Sequence, residues 1–249
     1  MTAPGISDRP HALLLHGMDG IGGVWDAVRA DLGSSWQVSS PDLPGHGGAP
    51  RLARYGYVQA AAELFRRVGD TLPGSPIVLV GHSLGGVLAL CLAAAHPELD
   101  VRGVIALGCK TRWSDEEIGA MARVADRGPA SFEDQDAARD RFLKVSGLSG
   151  LVGPEKAAAG VLAEGGRWRL AVDPEVHRID TVDFGDVLAS VRGTVLLARG
   201  EHDQMVPTED LARFGLAVQV VLGAGHNAHV EQPAQVAALV RSLVAGVQS

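Results

Sequence analysis

The feature that most constrains the fold of this chain is a series of short apolar runs separated by longer helical segments. Continuous apolar runs are typical of strands that are covered on both faces. Their alternation with helices favours right-handed crossovers and a parallel sheet. The runs cover residues 11–15, 36–40, 76–80, 101–107, 194–198 and 218–222. The sequence therefore predicts an α/β fold, with a mostly parallel sheet flanked by helices.

The segments between these runs predict the helices that cover the sheet. Residues 58–70 place apolar side chains on one face and charged ones elsewhere, which is typical of an amphipathic helix. Residues 84–95 are almost wholly apolar, so this helix is predicted to be buried. Further helices are predicted over residues 24–32, 207–214 and 233–244.

One long segment interrupts this rhythm. Between the fourth and fifth runs, Lys110 to Val191 shows no clear strand, polar helices are predicted over 113–127 and 132–145, and Gly165-Gly166 indicates a turn. A segment of this length with its own helices favours a cap over a site rather than a loop. We therefore predict a core of residues 1–110 and 192–249 and a helical cap of residues 111–191, called the insertion below.

Composition excludes several classes of partner. The 249 residues are 46% hydrophobic and carry a formal net charge of −7, which argues against a nucleic-acid surface. No run of 18 or more apolar residues predicts a membrane span, and the first ten residues do not resemble a signal peptide. The two cysteines, Cys91 and Cys109, do not suggest a disulfide framework. We expect a cytoplasmic protein without nucleic-acid or membrane partners, and monomer or homodimer stays open.

Residues 81–85, Gly-His-Ser-Leu-Gly, follow a predicted strand and open the buried helix. This is the context of a G-x-S-x-G nucleophile elbow, in which a tight strand-to-helix turn exposes the serine. The helix N-terminus supplies free N–H groups and partial positive charge for an oxyanion. Ser83 is therefore the candidate nucleophile; the alternative is a glycine-rich turn with an incidental serine.

A general base and an acid that orients it are available after the last two strands. His226 directly follows the final strand and is favoured as the base over His229, which lies closer to the last helix. Asp203, after the fifth run, is favoured as the acid over Glu201 and Asp210. The resulting chain order is Ser, Asp, His.

The loop after the first strand, His16-Gly17-Met18-Asp19-Gly20, can supply a second oxyanion donor. We predict the N–H of Met18 for this role, beside the N–H of Leu84. A phosphate-binding loop is disfavoured, because neither G-K-[ST] nor G-x-G-x-x-G occurs there.

These segments, with residues 42–47 (Asp-Leu-Pro-Gly-His-Gly), Gly225-His226 and Pro233, resemble the α/β-hydrolase superfamily, in particular its small capped esterase-like members. They lie in the family order over nearly the whole chain. The resemblance implies a hydrolase without a cofactor or metal, a cap, and catalytic roles for Ser83, Asp203 and His226. The serine disfavours dehalogenase and epoxide hydrolase activities, because those relatives use aspartate at this position.

The expected reaction is hydrolysis of an ester, thioester or lactone of a small molecule through an acyl-enzyme. The alternatives are a carbon–carbon bond hydrolase or lyase of the same fold, and a ligand receptor that retains the triad. Four cations, Lys110, Arg112, Arg167 and Arg169, raise the further hypothesis of an acidic substrate, against the alternative that they face solvent. The predicted substrate contacts are Gly17, Trp25, Cys109, Arg112, Trp113 and Trp168.

Overall fold

The computed structural model describes residues 9–72 and 75–245. Its main sheet has six parallel strands in the order β2-β1-β3-β4-β8-β9. They are β1 His11–Leu15, β2 Gln37–Ser39, β3 Ile77–His82, β4 Val101–Leu107, β8 Thr194–Gly200 and β9 Val218–Val221. Each corresponds to one of the six apolar runs, and the predicted α/β class is confirmed.

The two faces of the sheet bury alternate residues of its strands. On one face, Leu13 and Leu15 of β1 pack in a cluster with residues of the helices α2 (Tyr57–Val68) and α3 (Leu84–Ala95). On the other face, Ala12 and Leu14 pack in a second cluster. Because both faces are covered, the central strands are apolar at most positions, which explains the continuous runs.

The remaining core helices surround the same sheet. They are α1 Asp26–Leu32, α7 Thr208–Ala212, α8 Ala228–Glu231 and α9 Pro233–Ala245, with short 3-10 helices at Gly22–Trp25 and Gly69–Thr71. The buried helix α3 has the predicted bounds, Leu84–Ala95. No helix in residues 9–72 and 75–245 combines the length and apolar character needed to cross a bilayer.

The insertion contains a small sheet that the sequence analysis missed. Its helices are α4 Asp115–Asp126, α5 Gln135–Val145 and α6 Phe184–Ser190, with 3-10 helices at Pro154–Gly160 and Pro174–Arg178. Three antiparallel strands, β5 Ser131–Phe132, β6 Val161–Glu164 and β7 Arg167–Leu170, pair in the order β5-β7-β6. The expectation of no strand was wrong, because these strands have only two to four residues and include charged side chains.

The predicted turn at Gly165-Gly166 joins β6 to β7. Both glycines have positive φ, 58° and 76°, as a two-residue hairpin turn requires. The insertion also has a buried cluster of its own, to which the core loop after β1 contributes Ile21. At its other end, Phe184 of α6 packs in the cluster around α3, so this helix belongs to the core by packing.

Candidate active site

Ser83 occupies the sharp turn between β3 and α3. Its backbone has φ 51° and ψ −116°, and non-glycine residues rarely adopt positive φ. The turn is held by hydrogen bonds from Ser83 N–H to the Leu107 carbonyl (2.8 Å) and from Gly86 N–H to the Ser83 carbonyl (3.0 Å). This geometry is that of a nucleophile elbow, in which the serine side chain leaves the turn towards the site.

The glycines that flank Ser83 are required by close backbone contacts. A Cβ atom at Gly81 would lie 2.1 Å from the Gly85 carbonyl oxygen, and one at Gly85 would lie 2.3 Å from the Leu15 carbonyl oxygen. Both distances are far below van der Waals contact, and the neighbouring atoms are backbone and cannot move away. The G-x-S-x-G pattern therefore follows from packing the start of α3 against the ends of β1 and β3.

His226 and Asp203 form the hydrogen-bonded pair predicted from the sequence. His226 Nδ1 lies 2.9 Å from Asp203 Oδ2, and the Asp203 side chain is fully buried. Asp203 Oδ1 also accepts from Met205 N–H at 2.9 Å. Because an ionised carboxylate only accepts, His226 carries its proton on Nδ1, and Nε2 is left as the basic nitrogen.

The competing residues have other partners. His229 is buried and packs against Trp25, with ring centroids 4.3 Å apart. Glu201 is half-exposed and accepts from Gly223 N–H at 2.8 Å. Asp210 forms an ion pair with Arg112 at 3.3 Å. Asp203 is thus the carboxylate that the structure brings to His226.

The loop after β1 forms a four-residue turn (Gly17, Met18, Asp19 and Gly20), which we call the oxyanion turn after the role predicted for Met18. Gly20 N–H donates to the Gly17 carbonyl at 3.1 Å and closes it. His16 Nε2 accepts from Leu43 N–H at 2.9 Å, so its Nδ1 carries the proton and donates to the same Gly17 carbonyl at 2.7 Å. Two hydrogen bonds to the carbonyl of its first residue, Gly17, therefore hold the turn in place.

Three buried imidazoles around the site are held neutral. Burial is the largest cause, and it lowers the pKa of His16 and of His229 to about 3. Burial, together with the neighbouring His229 and His226, puts the pKa of His82 well below its usual range. His82 Nε2 lies 2.9 Å from the carbonyl oxygen of His226 and so supports the loop that carries the base.

A cavity of about 910 Å³ lies between the insertion and the carboxyl ends of the strands. Ser83 and His226 both line it, as do the predicted oxyanion residues Met18 and Leu84 and the predicted contact Trp113. Most of its other walls are apolar side chains from both the core and the insertion, among them Tyr57, Val87, Met121, Leu151, Ile179 and Phe184.

Gly17 lines a second, much smaller cavity of about 20 Å³ next to the first. Within the described part of the chain, the other four predicted contacts lie outside the main cavity. Trp25 is fully buried in the cluster that contains Ala12 and Leu14, on the face of the sheet opposite α3. Cys109 is fully buried, and its Sγ lies 3.3 Å from the Ser83 carbonyl oxygen. These two expectations are corrected, because both side chains turn into the core.

Arg112 and Trp168 are corrected for a different reason. The Arg112 side chain is 63% exposed and pairs with Asp210, and Trp168 packs on the insertion's own cluster. The other cations considered for an acidic substrate also have acidic partners: Lys110 pairs with Glu117, Arg167 with Glu133 and Arg169 with Glu164. Of these, Lys110 lines the cavity.

Several lining residues were not found from the sequence. Tyr57 lies at the start of α2, and Asp19 and His177 form a hydrogen-bonded pair at 3.1 Å across the core and the insertion. Asp19 could have been found because it directly follows the predicted oxyanion residue. His177 carries no such signal, because nothing in its local sequence shows which part of the core it meets.

In residues 9–72 and 75–245, no group of three or more His, Cys, Asp or Glu side chains is arranged to hold a metal ion.

Known proteins resemble this chain in sequence and in fold. A model of the "Alpha/beta hydrolase family" matches residues 12–239. The chain is 30% identical to the pimeloyl-(acyl-carrier protein) methyl ester esterase of Neisseria meningitidis serogroup A, with 94% of this chain and 76% of that protein covered. It is 36% identical to the magnesium-chelatase 30 kDa subunit of Rhodobacter capsulatus, with 90% and 83% covered.

Among solved structures, E-2-(acetamidomethylene)succinate hydrolase has a similar fold. Its TM-score is 0.80 at 23% identity, and the match covers 95% of this chain and 92% of that one. The family match covers the strands, the nucleophile elbow and the loop that carries His226. The chain belongs to the alpha/beta hydrolase family and is a hydrolase.

Proposed function

We propose that this protein is a serine esterase that cleaves a small-molecule ester, thioester or lactone through an acyl-enzyme. One observation carries the proposal: Ser83 at its strained turn and His226 paired with buried Asp203 line one cavity. Ester hydrolysis is favoured among these reactions because the Neisseria relative is named a methyl ester esterase.

In the proposed reaction, His226 Nε2 takes the Ser83 proton as Oγ attacks the carbonyl carbon. Asp203 holds the imidazole in the required tautomer and stabilises the imidazolium that forms. The N–H groups of Met18 and Leu84 receive the oxyanion; Leu84 is the first residue of α3, where helical N–H groups have no partner within the helix. His226 then protonates the leaving group and activates water for deacylation.

The insertion is proposed to act as a cap that selects the substrate. It contributes apolar side chains of α4, including Ile118 and Met121, to the cavity wall. Lys110 and Arg178, the cations that line the cavity, are paired with carboxylates. An uncharged, apolar acyl or alcohol group therefore fits this wall better than a free carboxylate does.

The test combines turnover with covalent labelling. Wild-type protein should hydrolyse p-nitrophenyl esters over a series of acyl lengths, and a fluorophosphonate should label Ser83, as located by mass spectrometry. Ser83→Ala should lower kcat by on the order of 10⁴-fold or more, with an unchanged unfolding midpoint. An inert wild-type protein whose serine is not labelled would point instead to a ligand receptor.

A matched ester pair tests the charge of the substrate. One ester carries a free carboxylate and the other is its neutral, amide-capped analogue. We expect a higher kcat/KM for the neutral ester, with little dependence on salt. A salt-sensitive preference for the acid that is lost in Lys110→Ala or Arg178→Ala would support the acidic substrate instead.

A further inference from the structure

Asp19 has a positive φ, which residues other than glycine adopt uncommonly, although aspartate is among those that tolerate it best. Among the described residues other than glycine, Ser83 and Asp19 are the two with positive φ, 51° and 60°. The strain at Ser83 exposes the nucleophile. Asp19 is the third residue of the oxyanion turn, where positive φ is ordinarily supplied by glycine or asparagine. Such strain persists where the surrounding structure holds it, and it calls for a functional reason.

Asp19 is held from two directions. Its backbone N–H donates to His46 Nε2 at 3.2 Å, which ties it to the core loop after β2. Its carboxylate accepts from His177 Nε2 at 3.1 Å, which ties it to the insertion. The His177 and Asp19 side chains are only 11% and 12% exposed, and both line the main cavity. The pair therefore lies beside the reacting groups rather than on the surface.

The segment that carries His177 is itself fixed to the core. Asp173, directly before the 3-10 helix Pro174–Arg178, donates its N–H to the Gly45 carbonyl at 2.7 Å and accepts from the Tyr55 hydroxyl at 3.0 Å. Val176 is buried against the same loop, near Gly45. His177 is thus presented to Asp19 by an anchored segment.

We propose that His177 is a positioning residue for the oxyanion turn. By donating to Asp19, it holds the strained backbone of that residue and so keeps the preceding N–H, that of Met18, directed at the reacting carbonyl. The proposal rests on the proposed function, because it takes Met18 as an oxyanion donor. Its consequence is that seating of the insertion and stabilisation of the oxyanion are coupled through one hydrogen bond.

The first experiment compares two ways of removing a bond between core and insertion. His177→Ala should lower kcat about tenfold at nearly constant KM, less than the loss of a whole oxyanion donor. Lys156→Met removes the ion pair with Asp26, another 3.1 Å bond between insertion and core, which touches neither the oxyanion turn nor the segment that carries His177. It should leave kcat unchanged. His177→Gln, whose amide nitrogen can donate to Asp19, should restore most of the loss.

Further variants test the coupling from the other side. Asp19→Gly relaxes the strain and removes the same hydrogen bond, so it should lower kcat to a similar extent, and the double variant with His177→Ala should be no worse. It also serves if His177→Ala fails to fold. The affinity for an alkyl boronic acid, which forms a tetrahedral adduct with the serine, should fall in parallel with kcat.

Several results would overturn the proposal: a wild-type kcat in His177→Ala or Asp19→Gly, an equal loss in Lys156→Met, no rescue by glutamine, or additive losses in the double variant. Failure of the proposed function is a separate outcome, seen as a wild-type protein that neither turns over esters nor is labelled. Amide hydrogen exchange of residues 18–20 then decides. Faster exchange in His177→Ala than in Lys156→Met supports the positioning role, and equal exchange overturns it.

Discussion

The β3–α3 unit of the core and the insertion differ in how tightly their residues are packed. In α3, every residue from Leu84 to Ala93 is buried, and the helix begins in backbone contact with β1 and β3. The insertion contributes six buried residues to its own cluster, and exposed ion pairs such as Arg167–Glu133 lie on its surface. Exposed pairs of this kind contribute only about 0–1 kcal/mol each.

This difference in packing parallels the proposed division of roles, in which the core cleaves the bond and the insertion selects the substrate. The groups assigned to bond cleavage are on the core, where close backbone contacts leave little freedom. Much of the apolar wall of the cavity is on the insertion, where Ile118 and Val124 of α4 remain partly exposed. Elements with few buried contacts open more readily than a packed core. We therefore expect changes in the core to affect rate and folding, and changes in the insertion to affect which substrate is used.

The largest expected effect is in the core. His226→Ala should lower kcat by on the order of 10⁴-fold or more, because the serine loses its base. His229→Ala, three residues away, should keep most of the turnover and lower the unfolding temperature, because this ring is buried against Trp25. Steady-state kinetics and thermal unfolding of both variants measure this. A dead His229 variant beside an active His226 variant would reverse the assignment of the base.

Two glycine substitutions compare how much room each region has. Gly85→Ala should destabilise the fold by about 3 kcal/mol or more, since the new Cβ would lie 2.3 Å from the Leu15 carbonyl oxygen. In Gly150→Ala, in the insertion, the new Cβ would have no atom within 4 Å. The only cost in stability is that of its positive φ of 77°, about 1–2 kcal/mol. Urea unfolding gives both values, and equal losses would remove the contrast.

The core was predictable because its signals are local and strong. Short continuous apolar runs that alternate with helices favour strands covered on both faces, and residues 81–85 require one particular turn. The bounds of α3 and the pairing of Asp203 with His226 followed from such signals. In these regions the residue pattern follows directly from the close packing that the fold requires.

The insertion was less predictable because its contacts are set by distant residues. Strands of two to four residues with arginines, such as β7, carry no clear periodicity. The direction of Trp25 was also missed, because its position after β1 does not tell which face of the sheet the ring meets. His177 is recognisable as a site residue only once the insertion is seated on Asp19.

Acid should unfold the core through its buried histidines. The folded pKa of His16 and of His229 is lowered to about 3, while the unfolded value is near 6.5. The unfolded chain therefore binds more protons below pH 6.5, and stability is lost as the pH falls from about 6.5 towards 3. Each histidine should remove about 1.4 kcal/mol per pH unit in this window.

Urea unfolding between pH 7 and pH 4 measures this loss. His229→Gln should reduce the slope of the free energy of unfolding against pH by the share of one proton. His202→Gln is the matched control, because that side chain is 68% exposed. An unchanged slope in the His229 variant would show that this imidazole does not resist protonation in the fold.

The smallest expected effect is a difference between variants of the two tryptophans of the insertion, Trp113 and Trp168. Trp113 lines the cavity, and the centre of its ring lies 4.9 Å from Lys110 Nζ. Trp168 instead packs on the insertion's buried cluster. Trp113→Ala should change kcat/KM for long against short acyl esters several-fold with little change in unfolding temperature, since one wall of the cavity is removed. Trp168→Ala should lower the unfolding temperature and leave the acyl preference as it is. If both variants lost stability and neither changed preference, the insertion would be a second structural core, and the substrate would be selected by the walls that the main sheet and its helices supply.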